Sequence, residues 1–204
     1  MAVPGRRNGL IDEDDDDEIA LFEEDGVFPQ PDSDVPPHLR QLAAAAEQGD
    51  APALRQALDN LPGSIDEPLE DGDTALHLAC LYGHLPCVQI LLERGASLES
   101  KDEDGAIPLH DACAGGYTEI VQLLFNKAND VDFVKRMLES VDVEGDTPLH
   151  HAARGEHVNV IMLLLANGAS PTKTNSCGQI PSELADPETD ARGILANAAG
   201  ISVA

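Results

Sequence analysis

Four glycines, Gly72, Gly105, Gly145 and Gly178, recur at intervals of 33, 40 and 33 residues, and the residues around them recur too. The stretch "DGDTALHLACLYGHLPCVQILLERGAS" opens at Asp71, "DGAIPLHDACAGGYTEIVQLLF" at Asp104 and "EGDTPLHHAARGEHVNVIMLLLANGAS" at Glu144. A fixed period in this range means stacked units, because one such unit cannot bury its own apolar face. Each reads as turn, short helix, Gly turn, longer helix, turn. In the first, Leu85, Val88, Leu91 and Leu92 fall on one helical face. Pro86 sits near that helix's start, where a missing N–H costs little. Gly83 separates the two helices, and Gly95 provides a left-handed end.

Composition agrees with helices packed on helices. Hydrophobic residues make up 42% of the chain but aromatics only 3%, so Leu, Val, Ile and Ala must fill the core. The charge is lopsided, 38 acidic against 12 basic residues, a formal net of -26. Phosphate binding needs cations, so direct nucleic-acid binding is not expected, nor is contact with anionic membranes. A basic protein is the natural partner class, since opposite potentials speed encounter and select partners. No apolar run of membrane-spanning length and no signal-like segment is read. Cys80, Cys87, Cys113 and Cys177 form no CxxC pair and read as free thiols, which places the chain in the cytoplasm or nucleus.

The first 36 residues carry twelve acids against Arg6 and Arg7, a net of -10, which leaves -16 for the rest. Their composition predicts a disordered acidic tail. Within it, Leu21, Phe22, Val27 and Phe28 lie among carboxylates and could dock on a basic, partly apolar surface.

The three quoted stretches resemble the ankyrin repeat, with its TPLH-x-A-A-x-x-G-H pattern. The resemblance implies an all-α solenoid over residues 37–200, with units near 38–69, 70–102, 103–142, 143–175 and a closing unit at 176–200. "LRQLAAAAEQGDAPALRQALDNL" aligns as a degenerate first unit. "CGQIPSELA" aligns as the last, with Ser182 and Glu183 where Leu and His are usual; such drift suits capping repeats. The sequence departs from the pattern at Ala75 and at Ile107. At Glu156 the usual Gly is missing and a shifted turn is expected. The 40-residue interval contains seven extra residues. Val131, Val134, Leu138 and Val141 are spaced helically there, with Asp130 able to cap, so the preceding helix is lengthened or a short one follows it.

His77, His110 and His150 occupy one slot in successive units. Packed helices lie roughly 8–10 Å apart, whereas zinc takes nitrogen ligands at about 2 Å, so equivalent histidines cannot share an ion. The resemblance implies instead that they tie the turn to the first helix, with Thr74 and Thr147 helping to cap. Cys80 and Cys113 stand in a small-residue core slot. No phosphate loop or hydrolase, zinc-protease or kinase motif occurs. No catalytic group, metal or cofactor is expected.

What remains is surface. By resemblance, such proteins bind through turn tips and exposed first-helix positions. The tips are Glu70, Asp71 and Asp73, then Glu103 and Asp104, then Glu144 and Asp146, all acids. The first-helix positions are Leu81 and Tyr82, then Ala114 and Gly115, then Arg154. Phe133 and Met137 would be exposed anchors on the insertion. The expected function is a monomeric, non-enzymatic module that binds a basic protein through an acidic ladder. Its layout is similar to that of an acidic ankyrin chaperone of ribosomal proteins. The alternative is a regulatory adaptor in a degradation, signalling or transcription complex, which would lean on the insertion and the concave face.

Overall fold

The periodic stretches become eleven α-helices among the described residues, 36–128 and 130–201 of a computed structural model. The expected acidic tail lies outside the described residues. Two rows of helices run through the stack. The inner row is α1 (Pro37–Gln48), α3 (Ala75–Leu81), α5 (Pro108–Ala114), α8 (Pro148–Arg154) and α10 (Pro181–Leu184). The outer row is α2 (Ala51–Asp59), α4 (Leu85–Glu93), α6 (Thr118–Lys127), α9 (Val158–Ala166) and α11 (Asp190–Ala198). Each helix packs on its partner in the unit and on its counterparts in neighbouring units. The core follows: Leu76, Leu109 and Leu149 repeat one buried position, and Ala79, Ala112 and Ala152 another. Cys80, Cys87 and Cys113 are buried free thiols and Cys177 is exposed. Burial pushes the Cys80 and Cys113 thiols well up, so they are packing groups, not nucleophiles.

Histidines join the units. His77 Nδ1 accepts the Thr74 amide at 3.1 Å, which leaves the proton on Nε2 to donate to the Ala106 carbonyl of the next unit at 3.3 Å. His150 repeats this, from the Thr147 amide at 3.1 Å to the Gln179 carbonyl at 3.2 Å. A second tie runs through the turns between paired helices. The His84 ring lies where a Cβ on Gly49 would be, and the His157 ring does the same at Gly116. Their Nε2 atoms bond the Glu47 carbonyl at 2.7 Å and the Ala114 carbonyl at 2.8 Å. Glycine there supplies both the left-handed backbone and the space.

The expected shift of the turn at Glu156 is not found. Glu156 takes the left-handed conformation itself, φ 56°, and keeps the bond pattern of the other turns, with the His157 amide donating to the Ala152 carbonyl at 3.0 Å. Its side chain explains how a non-glycine is held: the carboxylate accepts the Asp186 amide of the closing unit at 3.0 Å.

The insertion forms a separate helix, α7 (Val131–Glu139), capped by Asp130, which accepts the Phe133 amide at 2.7 Å. Its buried stripe differs from the one expected. Val131, in the first turn, is 84% exposed. The pairs Phe133–Met137 and Val134–Leu138 face inward instead, four residues apart. Met137 is 1% exposed, so it is a core residue and not a docking anchor. Phe133 is half-buried, with the Arg136 guanidinium 4.9 Å above its ring. Arg136 also meets Glu99 at 3.3 Å, and Lys173 Nζ reaches the Glu139 carbonyl at 2.8 Å, so the insertion is braced on both sides. Met137→Ala should therefore cost about 2–5 kcal/mol in denaturant unfolding, whereas Val131→Ala should leave the midpoint nearly unchanged.

Candidate functional site

The turn tips stack along one edge. In each, a residue two before the Gly-preceding position closes a small loop: Leu69 to Asp73, Asp102 to Ala106, Asp142 to Asp146 and Asn175 to Gln179, amide to carbonyl. Consecutive tips are then bonded to each other. The Glu103 amide donates to the Asp71 carbonyl at 3.1 Å, Val143 to Asp104 at 2.7 Å, and Ser176 to Glu144 at 2.9 Å. Asp102, Asp142 and Asn175 pin their own loops by accepting the amides of Ala106, Asp146 and Gln179. Part of the acid content is thus turn chemistry, and sequence reading did not separate Asp102 and Asp142 into that class.

Of the seven acids intended as a ladder, the Glu70 side chain lies outside the described residues and the other six fall into two groups. Asp71, Glu103, Asp104 and Glu144 are exposed, and Asp73 is half-buried. Asp146 is not a surface acid: it is 0% exposed. Its carboxylate accepts from the Arg154 guanidinium and from Asn175 Nδ2 at 2.8 Å. Arg154 also lies 3.8 Å from Glu144. Beside it His151 Nε2 contacts Asp142 at 2.8 Å. Burial pushes Asp142 up, but the His151 bond and the Asp146 amide outweigh it and hold the carboxyl below its ordinary range. The unit at 143–175, the third of the three clear repeats, therefore neutralises its own acids.

Asp142, Asp146 and His151 bring ligand atoms within 4.8 Å of one another, the arrangement among the described residues that could hold a metal ion. A cation has little to gain there. Both Asp146 oxygens and both Asp142 oxygens already have donors, one of them the Arg154 cation. The cluster is a charge network that anchors the third tip.

The first half of the concave face is different. Leu69, Leu78, Leu81 and Tyr82 line a groove of about 420 Å³ with Ala43 and Ala44, rimmed by Arg40, Glu47, Asp71 and Asp73. Leu81 and Tyr82 are 41% and 51% exposed. So the groove brings Asp71, Asp73, Leu81 and Tyr82 together; Glu103 and Asp104 sit on the next tip, and Phe133 lies apart on α7. Glu47 and Arg40 were missed because binding positions were read only from the three clear repeats, not from the degenerate first unit.

Burial pushes the Asp73 carboxyl up to about 6, helped by the charges of Asp102, Asp71, Asp104 and Glu47. On α5, Asp111 was also missed: it stands where the clear repeat at 70–102 has Leu78 and the one at 143–175 has His151. Its Oδ2 is buried without a partner, and burial, then Asp73 and Asp102, push it up to about 8. His110 Nε2 is the other buried side-chain atom without a partner among the described residues. Burial, and the His151 ring 5.3 Å away, push His110 down to about 4.

Two family models match the chain, both of ankyrin repeats, over residues 42–133 and 144–176, together more than half of its length. The chain belongs to the ankyrin-repeat family. A curated relative is Ankyrin repeat and SAM domain-containing protein 6 of Mus musculus, 42% identical over 59 residues, which are 29% of this chain and 7% of that protein. The chain thus spans a small part of that relative's length. Ankyrin repeats are protein–protein interaction modules and are generally not enzymes. No helix among the described residues is long and apolar enough to cross a membrane.

Two outcomes follow from these charges. Arg154→Ala should destabilise the domain by roughly 2–3 kcal/mol, because it leaves Asp146 buried and short of its cation; Asp146→Asn in the same chain should recover part of the loss. The pH profile has two opposed sources. His77, His110 and His150 are held below their ordinary value by burial, so the unfolded chain binds more protons and stability rises with pH up to about 6.5. Asp111, raised to about 8, and Asp73, raised to about 6, make the folded chain bind more protons from about pH 4 upward, so they oppose the histidines on the acid side, and Asp111 makes stability fall between about pH 6.5 and 8. In thermal melts Asp111→Asn should flatten the limb between about pH 6.5 and 8 and steepen the rise below it.

Proposed function

We propose that this ankyrin module grips a basic protein partner on the open acidic half of its concave face, as a chaperone-like shield for that partner's cationic surface. The observation that carries this reading is the unequal treatment of the acids. Asp146 and Glu144 have Arg154 as an internal counter-ion. Asp71, Asp73, Glu103 and Asp104 make no ion pair among the described residues. Carboxylates left without cations along one edge, next to an apolar groove, fit a surface that is cationic and partly apolar. The module binds as a monomer in the cytoplasm or nucleus and does not touch nucleic acid directly, since its net charge of -26 repels phosphate.

The adaptor alternative has less support. It relied on Phe133 and Met137 as exposed anchors, and Met137 is spent on the core.

The test is capture of a partner from cell extract by the full chain. The wild type is expected to retain a protein of high isoelectric point at low salt and to release it at moderate salt, as screening predicts. Neutralising Asp71, Asp73, Glu103 and Asp104 as Asn or Gln should abolish capture, while Glu144→Gln should not. Salt-resistant capture of neutral or acidic proteins by both variants would overturn the proposal.

A further inference from the structure

The third of the three clear repeats, residues 143–175 (the third unit), contains, inside the molecule, the contact that the first clear repeat, residues 70–102 (the first unit), lacks. Asp146 and Arg154 stand 73 residues after Asp73 and Leu81, at the same positions of the repeat. In the third unit the guanidinium on the last turn of α8 turns back onto the carboxylate at the foot of that helix. In the first unit the carboxylate is present, but the arginine's place is taken by Leu81. Asp73 makes no side-chain hydrogen bond or ion pair among the described residues, although it is half-buried. A half-buried carboxylate crowded by four others is an unfavourable arrangement unless a cation arrives.

We propose that this groove receives an arginine side chain of the basic partner, laid over Leu81 and Tyr82 onto Asp73, in the place that Arg154 fills in the third unit. The inference rests on the acidic-face reading above and assigns its central contact. Arginine fits better than lysine for three reasons. Its fork can hold both oxygens of one carboxylate. Its plane can lie on the exposed Tyr82 ring, which already stacks near His84 with centroids 6.3 Å apart. It also loses less hydration on entering a groove whose floor is Leu69, Leu78 and Ala43. Arg40 on the rim opposes a cation, but Glu47, Asp71 and Asp73 on the same rim outnumber it. The bound segment therefore carries an arginine next to an apolar residue.

The groups facing Asp73 are Asp71, Asp102, Asp104, Glu47 and Asp111, with Arg40 on the groove rim. Burial, then Asp102, Asp71, Asp104 and Glu47, raise its pKa, and the arriving guanidinium lowers it. Binding therefore releases a proton and tightens as pH rises through about 6.

The experiment is selection of a randomised nonapeptide library on the full chain at low salt and pH 7.5. Enrichment of arginine over lysine beside an apolar residue is expected, and it should disappear on Asp73→Asn. Leu81→Arg is the second variant: it rebuilds the third-unit contact internally, so it should block selection and raise the melting temperature. A selected peptide should bind Asp73→Asn at least about tenfold more weakly, and the wild type more weakly at pH 5 than at pH 7.5. Enrichment that survives both variants overturns the inference. If that surviving enrichment is lost with Glu103→Gln and Asp104→Asn together, the acidic-face reading stands without it. No basic enrichment on any chain overturns both.

Discussion

A buried imidazole with one nitrogen committed to its own helix and the other to the next unit ties this stack at two joints, α3 to α5 and α8 to α10, while at the joint between them His110 holds only the Ile107 amide. The helix-start amide of Thr74 or Thr147 fixes the tautomer, so the remaining N–H must find a carbonyl one unit away. It does so between helices too short to stand alone, seven residues each in α3, α5 and α8. Stacking buries the Leu and Ala positions, and tip-to-tip amide bonds recur at all three joints between the tips, including the one that lacks the histidine tie. The acids at the tips are consequently presented at regular intervals by backbone that cannot easily move.

Much of this was legible in the sequence. The glycine intervals, the repeated histidine slot and the small-residue slot of Cys80 and Cys113 are consequences of local geometry, and local geometry repeats in sequence. What was not legible required knowing what lies one unit away. Asp146 looks like Asp73 in sequence, but Arg154 and Asn175 fold over it and close it off. Met137 and Val131 lie on one short helix, and which is buried depends on where α8 passes. Glu156 keeps its turn because a closing-unit amide meets its carboxylate, a contact no local pattern announces. Asp111 was passed over because a lone Asp on a helix is ordinarily solvated; only the packing shows its oxygen without a partner.

The same comparison between units gives the function its shape. A uniform acidic edge would point only to a solvated surface. Here one end has its counter-ions built in and the other does not, although both ends use the same fold and the same positions. The difference comes from a few side chains: Arg154 against Leu81, His151 against Leu78, Asp142 against Leu69. Those substitutions convert a self-neutralised tip into an apolar groove with carboxylates at its rim, and such a groove is stabilised by a cation supplied from outside.

The central claim is that the concave face is electrostatically open at its first half and closed at its third unit. The most direct measurement is a titration of the isotopically labelled full chain with N-acetyl-arginine methyl ester, followed by amide and carboxylate NMR shifts. The account predicts saturable changes at Asp71, Asp73, Leu81 and Tyr82, with Asp146 and Arg154 unmoved. Changes spread evenly over all the acidic tips, or concentrated at the third unit, would contradict it.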